Sequence, residues 1–366
     1  MVYRVIGLMS GSSLDGLDIA FAEFQETGGK WAYTLRHTAC YEYPVEWVQK
    51  LHNATSLNAF YYQQLHVEYG HYLGKQVNKF IEDNNIQYQV QLITSHGHTA
   101  FHFPAGSMTS QLGDGASIAA ITGINVVSDL RAMDLALGGQ GAPIVPIGEK
   151  LLFPENHLFL NLGGIANISL NSASKYVAFD VCPANRVLNL LAKKGNKNFD
   201  DGGQLAEKGE VIGDVLSVLN GMEYYQLPYP KSLSNDFGTD VIFPLINQRN
   251  LDIDDALRTY VEHICMQISR AVVQLQAENQ SEPMNKIFVT GGGARNSFLV
   301  RRLEETLKPS GITIDVPDSD IVDFKEAIIM GLIGVLRWRE ENNTLSSVTG
   351  ASRDSIGGAV WIGLEA

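Results

Sequence analysis

Residues 5–24 have the sequence Val5-Ile-Gly-Leu-Met-Ser-Gly-Ser-Ser-Leu-Asp-Gly-Leu-Asp-Ile-Ala-Phe-Ala-Glu-Phe24, and this stretch decides the fold. Two apolar runs flank a loop of glycine, serine and aspartate, a pattern that predicts a β-hairpin. Glycines let a ligand approach the backbone, and successive turn N–H groups can bind anions. Asp15 and Asp18 would repel a bare phosphate, but they suit Mg²⁺ placed between them and the phosphate. An ordinary tight hairpin whose aspartates cap its turns is the open alternative.

The composition is that of a globular protein. The length of 366 residues indicates about two domains, and 45% hydrophobic residues are enough to build their cores. A formal net charge of −13 argues against a nucleic-acid partner. We expect no membrane span and no signal peptide. The cysteines have no metal-ligand spacing and indicate a reducing, cytoplasmic location; they are Cys40, Cys182 and Cys265.

A histidine-rich segment follows the first predicted α/β elements. Residues 45–81 predict mostly helix, and residues 90–95 predict a short strand that leads into a loop containing His96, His98 and His102. This spacing suits no common zinc site. We therefore expect these histidines to make polar contacts with a substrate or to pack the loop.

Acidic and basic side chains follow the next predicted strand, residues 125–128. Asp129, Arg131 and Asp134 come directly after it, and a glycine- and proline-rich loop at 138–146 leads into an apolar helix. Because ligands bind at the carboxyl ends of strands in α/β proteins, these residues are binding candidates. An ordinary surface charge cluster is the alternative.

A second hairpin is predicted at residues 157–170, and a third strand at 176–180 ends on Asp180. The repeat of strand, glycine loop and strand predicts two similarly folded halves, residues 1–150 and 151–366. A carboxylate at a strand end is well placed as a general base. The alternative is that Asp180 caps the helix that follows.

A glycine turn marks the second half. Residues 286–296 predict a strand, then Gly291-Gly-Gly293, then a helix, an arrangement that suits nucleotide phosphate or ribose. Residues 254–277 predict a long helix. A further helix at 324–337 carries small residues that we expect to pack against another helix, as at a hinge; they are Ala327, Gly331 and Gly334.

These segments together resemble the anhydro-N-acetylmuramic acid kinase family. The resemblance follows the family's order over nearly the whole chain and rests on Gly11–Asp18, Ser95-His-Gly-His-Thr99, Gly138-Gly-Gln-Gly-Ala-Pro143, Asn161-Leu-Gly-Gly-Ile-Ala-Asn167, Phe179-Asp180 and Gly291-Gly-Gly-Ala-Arg-Asn296. It implies the α/β fold of the sugar kinase, heat-shock chaperone and actin superfamily, with duplicated ribonuclease-H-like lobes and an active-site cleft between them. A homodimer is also consistent with the family.

The resemblance implies that ATP and water convert 1,6-anhydro-N-acetylmuramic acid into N-acetylmuramic acid 6-phosphate and ADP. Asp180 would be the catalytic base, and Asp15 and Asp18 would hold Mg²⁺. His96, Arg131 and Asp134 would bind the amino sugar. The nucleotide site, with its metal, would comprise these residues: Gly11, Ser12, Ser13, Leu14, Asp15, Gly16, Leu17, Asp18, Gly163, Gly164, Gly291, Gly292, Gly293, Asn296 and Glu326.

The chain departs from the family pattern at several positions. Cys182-Pro-Ala-Asn185 replaces the usual Gly-Pro-Gly-Asn, Asn189 replaces an acidic residue, and Ser234-Asn-Asp236 replaces Gly-Arg-Glu. These departures leave two alternatives. One is a divergent member that binds nucleotide or sugar with little catalysis, and the other is a kinase for another sugar.

Overall fold

The computed structural model describes residues 1–11, 14–172, 176–229, 231–234, 236–279 and 284–364. The chain forms two compact units, one comprising Met1–Pro154 with Phe324–Ala366 and the other Glu155–Asp323. This division differs from the expected halves, because the chain after Asp323 groups with the first unit rather than with the second.

The first unit begins with a strand-rich region. Its strands are β1 (Val2–Ser10), β2 (Gly16–Thr27), β3 (Lys30–Glu42), β4 (Leu92–Phe103), β5 (Met108–Leu112) and β6 (Asn125–Ser128). Its α-helices are α1 (Val45–His52), α2 (Ala59–Asp83), α3 (Gly115–Thr122), α4 (Ala132–Ala136) and α5 (Pro146–Leu152), with 3-10 turns at Ala54–Ser56 and Pro104–Gly106.

The second unit contains the strands β7 (Leu158–Leu162), β8 (Ile165–Asn171), β9 (Tyr176–Pro183), β10 (Lys286–Thr290) and β11 (Thr313–Asp315). Its α-helices are α6 (Asn185–Lys194), α7 (Gln204–Lys208), α8 (Gly213–Asn220), α9 (Phe243–Asn247), α10 (Ile253–Glu278) and α11 (Ser297–Leu307). Shorter helical segments are Asp201–Gly203, Glu223–Gln226, Gly292–Arg295 and Lys308–Ser310, and Phe237–Ile242 is a π-helix. The chain then continues through α12 (Ser319–Trp338), α13 (Ser346–Thr349) and β12 (Ala359–Trp361).

The two sheets repeat one strand order. In the first unit, β3, β2 and β1 are antiparallel neighbours, and β4 and β6 follow beside β1 in parallel. In the second unit, β9, β8 and β7 are antiparallel, and β10 and β11 follow in parallel. The first sheet adds β12 at its edge and β5 beside β4. The predicted α/β fold with duplicated ribonuclease-H-like lobes is confirmed by this shared order.

The opening hairpin is buried on both of its faces. Ile6, Leu17 and Ile19 pack into a core formed with α1 and α2, while Gly7 on the opposite face meets α12. Because both faces are covered, the strands are almost continuously apolar rather than alternating. The predicted hairpin is confirmed, with β1 and β2 paired from Val2 to Ser10.

The small residues of α12 serve a different purpose from the one expected. A Cβ added at Gly7 would lie 1.9 Å from the Ala327 carbonyl oxygen, and one at Gly334 would lie 1.7 Å from Thr94 Oγ1. A Cβ added at Gly331 would lie 3.1 Å from the Phe24 ring of β2. The small residues therefore bring α12 close to the sheet, and the expectation that they pack against another helix is wrong.

The histidine segment is strand rather than loop. It was expected to follow a strand ending near residue 95, but β4 continues to Phe103. There it pairs with β5, and its register shifts between Thr99 and Phe101. Glycine and histidine weaken the local strand signal, and pairing with β5, together with that of His98 with Ser10 of β1, stabilises the extension.

Candidate active site

A backbone hydrogen bond joins the described ends of the loop between β1 and β2. Leu14 N–H donates to Gly11 O at 3.4 Å, and Leu14 has a left-handed backbone with φ +59°. Asp15, which follows Leu14, is exposed. The predicted ligands Ser12 and Ser13 lie outside the described residues. The described part of the loop thus leaves the Asp15 carboxylate accessible.

The start of β2 packs closely against β3. A Cβ added at Gly16 would lie 2.7 Å from Tyr41 O, so the strand pairing itself requires glycine, and Leu17 is buried in the core. Asp18 is half-buried opposite Cys40. Burial and the Asp18 carboxylate raise the pKa of the Cys40 thiol to about 12. The thiol therefore keeps its proton, and Asp18 provides the negative charge at this position.

The two aspartates can be compared with the needs of Mg²⁺. Within the described residues, no group of three or more His, Cys, Asp or Glu side chains could hold a metal ion. Mg²⁺ does not require such a group, because one or two carboxylates suffice when phosphate and water complete its shell. The oxygen donors of Asp15 and Asp18 fit that requirement, and their role as ligands stays a prediction.

A chain of buried hydroxyl groups supports the loop. Tyr43 OH donates to Ser10 Oγ at 2.9 Å and lies 2.5 Å from Tyr69 OH. Ser10 Oγ lies 3.1 Å from His98 Nδ1, and Tyr43 N–H donates to Asp15 O at 3.4 Å. Burial lowers the pKa of His98 to about 4, so its imidazole is neutral at pH 7. Tyr43 therefore contacts both ends of the loop.

Two residues predicted to bind the sugar, His96 and Arg131, contact each other in the first unit. Arg131 Nε donates to His96 Nε2 at 3.0 Å, and His96 Nδ1 lies 2.9 Å from Gly97 O. The imidazole is therefore neutral with its proton on Nδ1. Burial, with the Arg131 charge, lowers the pKa of His96 to about 3. Burial lowers the pKa of Arg131 to about 10, and the carboxylate of Glu326 opposes that shift.

Asp134 has its carboxylate fully engaged by the protein. Its side chain is buried, Gly141 N–H donates to Oδ2 at 2.7 Å, and Thr349 Oγ1 donates to Oδ1 at 2.7 Å. A Cβ added at Gly139 would lie 2.2 Å from Oδ2. The carboxylate thus holds the glycine loop in place, and a direct contact with sugar stays a prediction.

Asp180 in the second unit is held at three points. Leu233 N–H donates to the Asp180 carboxylate at 2.8 Å, and Tyr224 OH donates to its backbone oxygen at 2.7 Å. Asp180 N–H donates to Lys231 O at 3.1 Å. Burial raises the pKa of Asp180, and the Leu233 hydrogen bond opposes that rise. The alternative that Asp180 caps α6 is excluded, because the N-cap residue is Ala184 and no side chain caps that helix.

The sequence predicts that Asp180 ends its strand, and this prediction is wrong. Strand β9 continues past it, with Asp180 opposite Asn167 and Cys182 opposite Ala166. Val181 is therefore an extra residue on β9, which forms a β-bulge. Bulges re-aim the neighbouring side chains and frequently adjoin active sites.

The glycine turn of the second hairpin is joined to the start of α6. Ala184 N–H donates to Gly164 O at 2.8 Å, and Asn185 N–H donates to Gly163 O at 3.1 Å. Asn185 Nδ2 also donates to Leu162 O at 2.9 Å. Both glycine carbonyl groups therefore hold the segment that follows Asp180, while a contact of Gly163 or Gly164 with ATP stays a prediction.

The three-glycine turn packs against the same hairpin. A Cβ added at Gly291 would lie 2.9 Å from the Leu162 carbonyl carbon, and one at Gly293 would lie 2.7 Å from Leu162 Cβ. Gly292 is exposed, and its nearest neighbour would be 3.7 Å away. Asn296 caps α11 by accepting a backbone N–H from the first turn. Among the three glycines, Gly292 is the one open to a ligand.

The sequence did not indicate which residues support Asp15 and Asp180. Tyr43 supports the Asp15 loop, and Tyr224 and Leu233 hold Asp180. Tyr224 and Leu233 are separated from Asp180 by 44 and 53 residues, respectively. Neither separation corresponds to a local motif, so no signal in the sequence indicated these contacts.

Comparison with known proteins points to one family. A family model described as anhydro-N-acetylmuramic acid kinase matches residues 3–363. Proteins of that name include one from Coxiella burnetii (strain RSA 493 / Nine Mile phase I), 32% identical with 98% of each chain covered. Another, from Aliivibrio fischeri, is 33% identical and covers 98% of this chain and 99% of its own. A third, from Sulfurovum sp., is 32% identical with the same coverage.

Proposed function

The chain belongs to the anhydro-N-acetylmuramic acid kinase family, and from that premise we propose how its residues carry out the reaction. It is an ATP-dependent sugar kinase of cell-wall recycling that opens 1,6-anhydro-N-acetylmuramic acid with water and transfers a phosphoryl group to it. Phosphoryl transfer depends mainly on positioning and on neutralisation of charge. Each unit contributes identifiable groups to these two tasks.

The first unit binds phosphate and sugar in this proposal. Residues 11–18 contact the phosphates, and Asp15 and Asp18 hold Mg²⁺, which neutralises phosphate charge when it is bound. Arg131 pairs with the carboxylate of the sugar through its guanidinium group. Support for this assignment comes from His96, whose neutral Nε2 accepts from Arg131 Nε and so orients the guanidinium.

The second unit supplies the base. Asp180 accepts a proton from water while the water oxygen bonds to the anomeric carbon. The bond from that carbon to the bridging oxygen breaks, and this oxygen, now the 6-oxygen, attacks the γ-phosphorus. The bond from the γ-phosphorus to the leaving oxygen breaks, and ADP departs. Gly292, within the turn of residues 291–293, is where the adenosine end of ATP approaches.

The observation that carries this proposal is the state of Asp180. Its carboxylate is fixed by one N–H donor, and burial raises its pKa towards the range useful for a general base. An ion pair with a cation would lower the pKa of Asp180, and no cation among the described residues forms one with it. A fixed carboxylate with a raised pKa is suited to accept a proton from water.

The sequence departures beside Asp180 support catalysis more than its loss. Cys182 and Ala184 are both fully buried in the core of the second unit. The added side chains are therefore accommodated by packing, which favours an active kinase over the divergent, binding-only alternative.

The experiment compares wild type, Asp180→Asn and the control Asp214→Asn with the anhydro sugar, ATP and Mg²⁺. Loss of a general base lowers rates by about 10²–10⁴-fold, so we expect that loss in kcat for Asp180→Asn with an unchanged Kd for ATP. Asp214 is exposed, and its variant should keep full activity. Wild-type kcat/KM should fall as the pH decreases, because protonation of Asp180 removes the base.

Product analysis separates the alternatives. Reaction in ¹⁸O-labelled water should place the label at the anomeric carbon of the sugar phosphate. Turnover of free hexoses alone would support a kinase for another sugar, and ATP binding without sugar phosphate would support the binding-only alternative. Retained turnover in Asp180→Asn would remove Asp180 as the base.

Location and assembly complete the proposal. No helix in the described part of the chain is long and apolar enough to cross a bilayer. We place the enzyme in the cytoplasm, where ATP is available, and propose a homodimer on the basis of family resemblance. Light scattering of the purified protein tests the dimer.

A further inference from the structure

Lys231 has an unusual set of contacts for a cation. Its Nζ lies 4.8 Å from the Tyr224 ring centroid and 6.0 Å from that of Phe179, and it donates to Tyr224 O at 3.3 Å. Among the described residues, no carboxylate forms an ion pair with it. In contrast, Lys286 in the same unit pairs with Asp315 at 2.7 Å. Lys231 is thus held by two rings and one carbonyl group, without a counter-ion.

This environment makes the charged form of the Lys231 side chain less stable. Lys231 is half-buried, and the loss of hydration lowers the pKa of its ammonium group. Cation–π contacts recover only part of the lost hydration. A partly desolvated cation with no anion is stabilised further when a ligand supplies one.

The position of Lys231 indicates which ligand that is. Its backbone oxygen accepts the Asp180 N–H, so the two residues are fixed side by side. Their charges also act in opposite directions on the same buried thiol, that of Cys182. Lys231 and Asp180 are therefore joined through their backbones, and both of their side chains act on Cys182 without forming an ion pair with each other.

We propose that Lys231 binds an oxyanion of the ligand on which Asp180 acts. The proposal rests on the kinase function above, which offers two such groups, the carboxylate of the acidic amino sugar and a phosphate oxygen of ATP. The rings of Tyr224 and Phe179 fix the side chain before the ligand arrives. Preorganisation of this kind raises affinity because less side-chain entropy is lost on binding.

The test uses Lys231→Met, Lys231→Arg and the control Lys286→Met in the full-length protein. Methionine keeps the apolar stem against the rings and removes the charge, whereas arginine keeps the charge. Calorimetry measures the Kd of ATP without sugar and that of the anhydro sugar without ATP. A charged hydrogen bond typically contributes about 10- to 100-fold in affinity.

We expect Lys231→Met to weaken the binding of one of the two ligands by about that factor. Lys231→Arg should restore part of the affinity, and Lys286→Met should bind both ligands as the wild type does. Loss confined to the sugar identifies its carboxylate, and a neutral anhydro amino sugar should then bind equally to wild type and Lys231→Met. Loss confined to ATP identifies phosphate. Wild-type Kd values for both ligands would overturn the proposal, as would equal losses accompanied by a lower Tm and no rescue by arginine. Because binding is measured without turnover, failure of the kinase assay would not be confused with these results.

Discussion

Gly291 and Gly292 are adjacent, yet substitution by alanine should affect them very differently. Gly291 has φ +84° and ψ 163°, and an added Cβ would lie 2.3 Å from Asn161 Oδ1 and 2.9 Å from the Leu162 carbonyl carbon. Gly292 has an ordinary backbone conformation, and its nearest neighbour would be 3.7 Å away. The two positions therefore form a matched pair within one turn.

The magnitude follows from two separate costs. A backbone region that essentially only glycine adopts costs about 1–3 kcal/mol for alanine. Overlap with the Leu162 backbone adds about 1–3 kcal/mol, because the backbone cannot move aside as a flexible side chain can. The sum is about 2–6 kcal/mol, which lowers Tm by roughly 10 °C in a unit of this size. Gly292→Ala should change Tm by no more than about 2 °C, since it incurs neither cost.

Calorimetric unfolding of both variants, together with KM for ATP, distinguishes the two effects. We expect Gly291→Ala to unfold early, and Gly292→Ala to remain stable while KM for ATP rises several-fold. Equal Tm values for wild type and Gly291→Ala would refute the packing argument. A wild-type KM in Gly292→Ala would refute the assignment of this turn to the nucleotide.

Two further predictions concern buried charge. The ion pair of Lys325 Nζ with Glu149 Oε1, at 2.8 Å, is almost wholly buried. Lys325→Met should therefore lower the free energy of unfolding in urea by about 3–5 kcal/mol, and the double variant with Glu149→Leu should recover much of that loss. An unchanged urea midpoint for Lys325→Met would contradict this prediction. The buried imidazoles of His96, His98 and His263 have pKa values lowered by burial to about 3, 4 and 3. In the unfolded chain these histidines titrate near pH 6.5, so the unfolded chain binds protons before the folded chain does. The stabilisation should therefore be complete above that pH and should decrease as the pH falls towards about 4. A urea midpoint as high at about pH 5 as at about pH 7.5 would be inconsistent with this prediction.

Local patterns were enough to predict much of the fold. The apolar runs that flank residues 11–15 predicted the first hairpin, and helical periodicity predicted α10, because each signal lies within a short segment of chain. Strand β4 was predicted too short, since its extension depends on pairing with β5 rather than on its own residues. The same limit applies to β9, where a bulge at Val181 carries the strand past Asp180.

The candidate site was predicted as a set of residues but not as a set of contacts. Arg131 and His96 were both proposed for the sugar, yet nothing in the sequence indicated that one donates to the other. Asp134 was proposed alongside them, and nothing in the sequence indicated that its carboxylate accepts hydrogen bonds from Gly141 and Thr349. Such pairings depend on which distant segments the fold brings together.

The division of the chain into a continuous and a discontinuous unit has a consequence for biosynthesis. The unit Glu155–Asp323 is uninterrupted in sequence, whereas its companion needs α12 and the edge strand β12 to complete its sheet and helix layers. Domains usually fold as they emerge from the ribosome, starting with the N-terminal one. Here we expect the opposite order. The unit Glu155–Asp323 can fold while translation continues, whereas one face of the β1–β2 hairpin stays uncovered until α12 has been synthesised.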